Sequence, residues 1–464
     1  MQLSQAQLAC ADAALDPLKR LFAVTGSAGT GKTTIIRYIA EQLSERGISY
    51  AVCAPTGKAA KRIKEVTGLP AITVHKLLEY GRPGERDKDT GESADITHPK
   101  RDKFTPFDEL VILCDEYSMI NHELNRNLID ALRPGGRLIM FGDIAQLPPI
   151  EKYHIKNADG SPFNEHLKRA SCAFMLTEIY RQAEGSDVLT AATAIRKGFP
   201  PRRGEKFLMH YTDSPVKKLE QLVMEAEEHG IDYASIDNQI LTPMRTRWIG
   251  TGPLNVMLRG LLNPHGRDET ELTRYSWDEK NPVTVSVGDK VVCTENTYDM
   301  RNYTERFMEW QDNGNPVLSS YIPTPDTKYM LNGETGKIIE LYPDGGMEID
   351  FGDRVVEVPY AYEEWWEKRG AIIDTFPQRS IELAYALTVH KAQGSEYRNV
   401  IYVMNNSVFF MLCRENIYTA VTRARERCEI ITDMKSMSLS LKITNDVLRK
   451  RRESHEKNKG SLVK

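Results

Sequence analysis

The chain lacks the features that would place it in several classes at once. Across its 464 residues no apolar run approaches the ~18 to 20 residues needed to span a bilayer. The N-terminal MQLSQAQLAC has no charged region followed by an apolar block, so no secretion signal is expected. Its cysteines are few and odd in number, seven in all, and none forms a CxxC pair. That argues against a zinc module or a disulfide framework and for reduced thiols in a cytoplasmic protein. Charge of one sign is also missing. Lys and Arg total 61 against 65 Asp and Glu, a net of -4, so the chain is not a bulk polycation. Any nucleic-acid binding must use local basic grooves. Short-period repeats are absent too.

What is present suits a soluble, multidomain chain. Hydrophobic residues make up 41% and charged residues 27%. At roughly 150 residues per domain the length suggests about three domains. The first 150 residues alternate apolar runs with amphipathic stretches. Leu21–Val24, Tyr50–Ala54, Leu110–Cys114 and Arg137–Phe141 read as strands, and Thr33 to about Leu43 as a helix. Buried runs alternating with helices predict a parallel sheet covered on both faces. Residues 81–103 break the pattern as a polar, charged insert. From about 283 the texture becomes β, with short alternating runs and Gly/Asp turns that suit a small antiparallel barrel. Residues 299–328 read as irregular. From Ile381 the buried α/β pattern is expected to resume, with ELAYALTV, VIYVM and CEIIT as strands, before a basic, solvated tail.

Gly26-Ser27-Ala28-Gly29-Thr30-Gly31-Lys32-Thr33 matches GxxxxGK[ST] between a predicted strand and a predicted helix, with Thr34 next in line. Such glycines let backbone N–H groups curl around phosphates, and the helix N-terminus adds positive charge. Lys32 would neutralise the β- and γ-phosphates of ATP, and Thr33 would ligate Mg²⁺. Asp115 and Glu116 end a strand candidate. Asp115 suits the second Mg²⁺ ligand and Glu116 the group that polarises water. Asp143 and Gln146 follow the next strand, at the edge where α/β ligands bind, and Gln146 is the candidate γ-phosphate sensor.

Further segments carry a family resemblance. They are Ala54-Pro55-Thr56-Gly57-Lys58-Ala59-Ala60, Ala384–Glu396 (AYALTVHKAQGSE) and Tyr418–Arg425 (YTAVTRAR). With GSAGTGKTT, CDEYSM and GDIAQLPPI they resemble, in order and spacing, the superfamily 1B DNA helicases of the RecD/Dda-like branch, from Gln7 to Arg425. The resemblance implies two RecA-like P-loop domains that bind ATP between them and single-stranded DNA across their top. It also implies a polar strand-separating pin insert, an SH3-like β-barrel insert and 5′-to-3′ movement.

The resemblance assigns residue roles as well. Gln7 corresponds to a glutamine that reads adenine, which an amide can do in both directions. Arg181 and Arg423 correspond to guanidiniums that reach the γ-phosphate, and Gly394 and Glu396 to nucleotide contacts from the second half. Pro55, Thr56, Lys58, His75, Thr388 and His390 correspond to positions that touch single-stranded DNA. Backbone tracking of this kind needs hydroxyls, amides and cations. Trp365 and Trp366 either stack on bases or pack the insert onto the core.

The expected domains are 1–150 (first RecA-like, with the pin at about 81–105), 151–282 and 379–445 (second RecA-like), 283–378 (barrel) and 446–464 (tail). The expected function is an ATP- and Mg²⁺-dependent helicase acting on single-stranded DNA and single-strand/duplex junctions as a monomer, without a membrane. A phage or bacterial replication or repair role fits the compact size. A single-strand-binding or recombination partner is compatible with the reading. The rivals are a motor subunit that does not unwind by itself, and an ATP-driven DNA clamp.

Overall fold

The computed structural model describes residues 3–80, 98–149, 151, 161–169, 172–178, 186–264, 272–275, 282–310, 316–342, 346–358, 362–366, 371–375, 380–448 and 450. The chain divides into two compact units. One comprises Met1–Lys206, Phe410–Thr422 and Ser438–Lys464, the other Phe207–Phe409 and Arg423–Met437.

The first unit is built on a parallel sheet of β1 (Leu21–Gly26), β2 (Tyr50–Ala54), β3 (Ala71–Thr73), β4 (Val111–Cys114), β5 (Arg137–Gly142) and β6 (Ala173–Leu176). The spatial order is β3-β2-β4-β5-β1-β6. Its described helices are α1 (Gln5–Leu15), α2 (Lys32–Glu45), α3 (Gly57–Thr67), the short α4 (Val74–Leu77), α5 (His122–Asp130), α6 (Pro162–Leu167) and α7 (Asp187–Arg196). β4 and β5 are buried at every residue, as expected for strands covered on both faces. One cluster, with Val24, Ile35, Ile39 and Leu113, packs one face. A second, with Ile112, Tyr117, Leu138 and Phe163, packs the other. Each fully buried side chain of this size contributes about 1.5–3 kcal/mol.

The second unit holds another parallel sheet, from β7 (Phe207–Tyr211) and β8 (Asn238–Thr242) with α8 (Pro215–Glu228) and α9 (Thr251–Leu262). After β9 (Leu272–Tyr275) and β10 (Pro282–Val285), which pair with each other, the chain enters a β region. That region comprises β11 (Lys290–Cys293), β12 (Thr297–Trp310), β13 (Pro316–Met330), β14 (Thr335–Leu341), β15 (Met347–Asp350), β16 (Val355–Val358), β17 (Tyr362–Trp366), β18 (Ala371–Thr375) and β19 (Ile381–Leu383). The chain then returns to the parallel sheet with β20 (Ala386–Thr388), β21 (Tyr397–Val403) and β22 (Ala424–Thr432), in spatial order β20-β8-β21-β22-β7. Helix α10 (Arg414–Val421) lies between β21 and β22 in sequence, and α11 (Met434–Lys442) follows β22.

Several expected boundaries move. The first sheet does not end near residue 150, because β6 pairs in parallel with β1. Residues Phe410–Thr422, expected in the second domain, group with the first unit, where α10 packs against α7. ELAYALTV is not one strand. β19 pairs antiparallel with β11 in a five-stranded sheet ordered β16-β15-β14-β11-β19, and β20 joins the parallel sheet. The break falls at Ala384-Tyr385, whose two carbonyls accept from the Gln239 side-chain amide at 2.9 and 3.0 Å. The described residues of 299–328, namely 299–310 and 316–328, are strand rather than irregular. β12 and β13 form a long antiparallel hairpin whose repeated register shifts erase the period-2 pattern.

Of the pin-like insert, 81–97 lie outside the described residues. At its base Tyr80 bridges Pro99, and Arg101 pairs with Glu79 (2.7 Å) and Asp108 (3.2 Å). The side chains of Trp365 and Trp366, and residues 451–464 of the tail, also lie outside the described residues.

Candidate functional site

In the first unit, β1 runs straight into the glycine-rich turn. Gly29 and Gly31 adopt left-handed φ values of 86° and 80°, which L side chains rarely adopt. A Cβ on Gly31 would also run into the Gln7 amide. Gly31 is the N-cap of α2 and offers no side chain, so the first N–H groups of a 14-residue helix point into the turn. The Lys32 ammonium donates to the carbonyls of Gly26 (2.8 Å) and Ser27 (3.2 Å), and the Thr30 hydroxyl to Ser27 O (2.9 Å). Thr33 and Thr34 are half-buried in the first turn of α2, and Ala28 is half-buried in the loop.

Gln7 sits against this turn. Its Oε1 accepts from the Ser4 N–H (3.0 Å) in a capping box, and its Nε2 donates to Thr30 O (3.3 Å). One lone pair and one N–H of the amide remain, the complement an adenine edge requires.

β4 lies two strands from β1 and delivers the acidic pair to the same carboxyl edge. Asp115 is buried. Desolvation and the neighbouring Glu116 push its carboxyl up to about 6, against the opposing pull of Lys32 and Arg62. Glu116 holds a left-handed φ of 50°, and its buried Oε2 has no hydrogen-bond partner. A strained non-glycine residue with an orphaned carboxylate oxygen is the signature of a functional position rather than of a solvated strand end.

β5 ends between them. Asp143 is fully buried, and its Oδ1 accepts from the Ala145 N–H (3.0 Å). Gln146 is 5% exposed, and its Oε1 has no partner. Two contacts invisible in the sequence hold this turn: Tyr418 Oη donates to Asp143 Oδ2 (2.7 Å), and the Leu147 N–H donates to Thr419 Oγ (2.9 Å). Both partners lie on α10, and the only signal for them was their place within YTAVTRAR.

The carboxyl ends of β2 and β3 are adjacent, with Ala54 beside Thr73. Pro55 and Thr56 follow β2. Thr56 caps α3 by accepting from the Ala59 N–H (3.2 Å), and half-buried Lys58 lies in the first turn. His75 follows β3 and is exposed, with its ring centroid 5.1 Å from that of Tyr80. These residues share the sheet's carboxyl edge with the glycine turn but occupy its opposite end.

In the second unit, Arg423 is 3% exposed and donates to Ser395 O (3.0 Å), which brings it to the loop holding Gly394 (φ 74°) and Glu396. Thr388 ends β20, and its hydroxyl accepts from the Lys391 N–H (3.2 Å). His390 lies between them, half-buried. Arg181 lies outside the described residues.

The donor set of the first unit fits a nucleotide triphosphate with a divalent cation. Among the described residues no group of three or more His, Cys, Asp or Glu is arranged to hold a metal. A cation here would complete its shell with phosphate oxygens and water beside Thr33 and Asp115, as Mg²⁺ does.

A family profile described as an AAA domain matches residues 2–215, and one described as a UvrD-like helicase C-terminal domain matches 383–431. The ATP-dependent RecD2 DNA helicase of Deinococcus radiodurans is 32% identical over 408 residues, covering 88% of this chain and 46% of that protein. These matches are consistent with a superfamily 1B helicase. The ATP-dependent DNA helicase dda of Enterobacteria phage T4 is 30% identical over 186 residues, 40% of each chain. The RecBCD enzyme subunit RecD of Mycolicibacterium smegmatis is 26% identical, covering 89% of this chain and 68% of the subunit. A Bacteroides Pif1 helicase, solved in complex with ADP-AlF3 and ssDNA, shares the α/β fold with parallel sheets (TM-score 0.55, 20% identity, 98% of each chain). No described helix is long and apolar enough to cross a membrane.

Proposed function

We propose that this chain is an ATP- and Mg²⁺-dependent DNA helicase that moves 5′ to 3′ on single-stranded DNA and separates duplex ahead of it. The reading rests on one grouping above all: Lys32, Asp115, Glu116 and Gln146 along one carboxyl edge, with Oε2 of Glu116 and Oε1 of Gln146 buried and unpartnered. In this reading the glycine turn and Lys32 hold the triphosphate, Thr33 and Asp115 hold Mg²⁺, and Gln7 contacts adenine. Bound Mg²⁺ would neutralise charge on the phosphate oxygens. Glu116 orients the attacking water and accepts its proton, and Gln146 reports loss of the γ-phosphate. Arg181 and Arg423 supply guanidiniums to the transition state, and Gly394 and Glu396 add nucleotide contacts. Pro55, Thr56, Lys58, His75, Thr388 and His390 track the DNA backbone. The segment around 81–105 serves as the pin, and the β region from 283 as an SH3-like insert. The helicase works as a monomer in the cytoplasm, in replication, recombination or repair. Each duplex step costs about 1.4 kcal/mol on average, well within what one ATP supplies.

A second reading, a motor subunit of a recombination complex that does not unwind by itself, is favoured by the RecD relatives, which are named as subunits of the RecBCD enzyme.

The test is strand separation with ATP and Mg²⁺ on two matched duplexes, one with a 5′ tail and one with a 3′ tail. Unwinding of the 5′-tailed duplex alone supports the proposal. Unwinding of the 3′-tailed one alone keeps the motor and reverses its direction. DNA-stimulated ATP hydrolysis without unwinding of either favours the subunit reading.

A further inference from the structure

The loop after β8 carries a feature that the helicase motifs do not absorb. Residues 245–248, Arg-Thr-Arg-Trp, are all exposed, and Trp248 is 47% exposed. A single exposed aromatic is ordinary on a protein surface. This one differs in how firmly it is held. The Thr242 hydroxyl donates to Ile249 O (2.6 Å), Gly250 N–H to Arg247 O (2.9 Å), and Thr251 and Gly252 N–H to Met244 O and Arg245 O (both 3.2 Å). A Cβ on Gly250 would collide with the Arg245 and Thr246 carbonyls, so the turn closes only with glycine. Next to the tryptophan, Arg247 adopts a left-handed φ of 74°, a strained conformation that the surrounding bonds impose. The chain thus spends backbone strain to present a large apolar ring to solvent.

The loop's position adds chemistry. β8 and β20 are parallel neighbours, and the first residue past β20, Val389, donates its N–H to Thr242 O (3.0 Å). The Trp248 loop and the His390-Lys391 loop therefore leave the same carboxyl edge side by side. Glu382 ties them together, accepting from Arg245 Nη2 (2.7 Å) and Lys391 Nζ (3.1 Å). Burial would raise this carboxyl, but Lys391 and Arg245 outweigh it and hold it below its ordinary value. Two cations share one carboxylate and Arg247 adds a third, so the rim keeps net positive charge. A rigid aromatic face within a cationic rim is what single-stranded nucleic acid uses: phosphates meet the cations and a base stacks on the ring, without regard to sequence.

We propose that Trp248 is a base-stacking platform for single-stranded DNA on the second unit, with Arg245, Arg247 and Lys391 around it as phosphate contacts. The inference deepens the helicase reading and rests on it. The test is binding of a labelled oligo(dT) 15-mer, and of the same strand with abasic sites throughout, to the full chain without nucleotide. Trp248→Ala should weaken oligo(dT) binding roughly tenfold, within the range for loss of one stacked base. It should leave abasic-strand affinity and the salt dependence unchanged, because phosphate contacts persist. Trp248→Phe, which keeps an aromatic face, should bind as wild type, and Trp248→Leu should behave as Ala. An equal loss on both strands, or wild-type binding by the Ala and Leu variants, overturns the proposal. If wild-type protein binds neither strand, the single-stranded-DNA reading itself fails, an outcome distinct from failure of Trp248 alone.

Discussion

The Tyr418 hydroxyl donates a 2.7 Å hydrogen bond to Oδ2 of Asp143, a residue 275 positions away in sequence. Both groups are buried, and the proximity of the carboxylate pushes the already desolvated phenol further up. The other Asp143 oxygen fixes the turn that carries Gln146. Helix α10 therefore holds the Gln146 turn from outside β5. Tyr418→Phe removes the donor, leaves a buried carboxylate oxygen unpaired and frees the turn, at a cost of roughly 1–3 kcal/mol. We expect kcat for DNA-stimulated ATP hydrolysis to fall about tenfold while KM for ATP changes less than twofold. Wild-type kcat in the variant would show that the turn holds without this bond.

How much of this was legible in the sequence depended on how local the cause was. The glycine turn, the Asp115-Glu116 pair and strands β1, β2, β4, β5, β21 and β22 read directly, because a parallel strand covered on both faces is an uninterrupted apolar run. β6 escaped notice because it is a four-residue edge strand with only Leu176 buried. The hairpin of β12 and β13 escaped because bulges break its alternation. The Tyr418–Asp143 bond escaped because nothing near either residue signals the other. Lys290 is fully buried, its ammonium bonded to Ser235 O (2.9 Å) and Asn238 O (2.5 Å). No local pattern reveals a buried charge whose partners lie more than 50 residues away.

The catalytic assignment separates binding from turnover. Lys32→Ala should abolish measurable ATP hydrolysis, since its ammonium reaches back to the Gly26 and Ser27 carbonyls of the glycine turn, where the proposed phosphates sit. Glu116→Gln keeps the shape but removes the proposed base. It should retain nucleotide affinity within a fewfold, measured with a fluorescent ATP analogue, while single-turnover hydrolysis falls by about 10²–10⁴. Near-normal turnover in Glu116→Gln would move the base to another residue.

Gln7 has two structural bonds and two open ones. Gln7→Ala loses both sets. The lost capping box costs about 1 kcal/mol and shows as a lowered unfolding midpoint. If the open donor and acceptor read adenine, the ratio of kcat/KM for ATP over GTP should collapse toward one. A variant that is less stable yet keeps the wild-type ATP preference would leave Gln7 a purely structural brace of the phosphate turn.

Among the described residues of the second unit, Asp289 is a heavily bonded carboxylate. It is fully buried and accepts from Arg259 (2.9 Å), Asn263 (2.9 Å), the Tyr385 hydroxyl (2.9 Å) and the Ser286 N–H (2.8 Å). These partners come from α9, from the approach to β11 and from the link between β19 and β20, so one carboxylate joins the β region to the parallel sheet. Asp289→Ala strands the Arg259 guanidinium, itself nearly buried, without its counter-charge, a loss of about 3–5 kcal/mol. Asp289→Asn keeps the shape and some acceptors and should cost less. In urea denaturation the transition of the second unit should shift to lower concentration in the order Asn, then Ala. The first unit should keep its nucleotide affinity, because every group of the phosphate turn lies within it. A shift of equal size in both variants would mean that the charge alone, without help from the retained shape and acceptor, holds the joint.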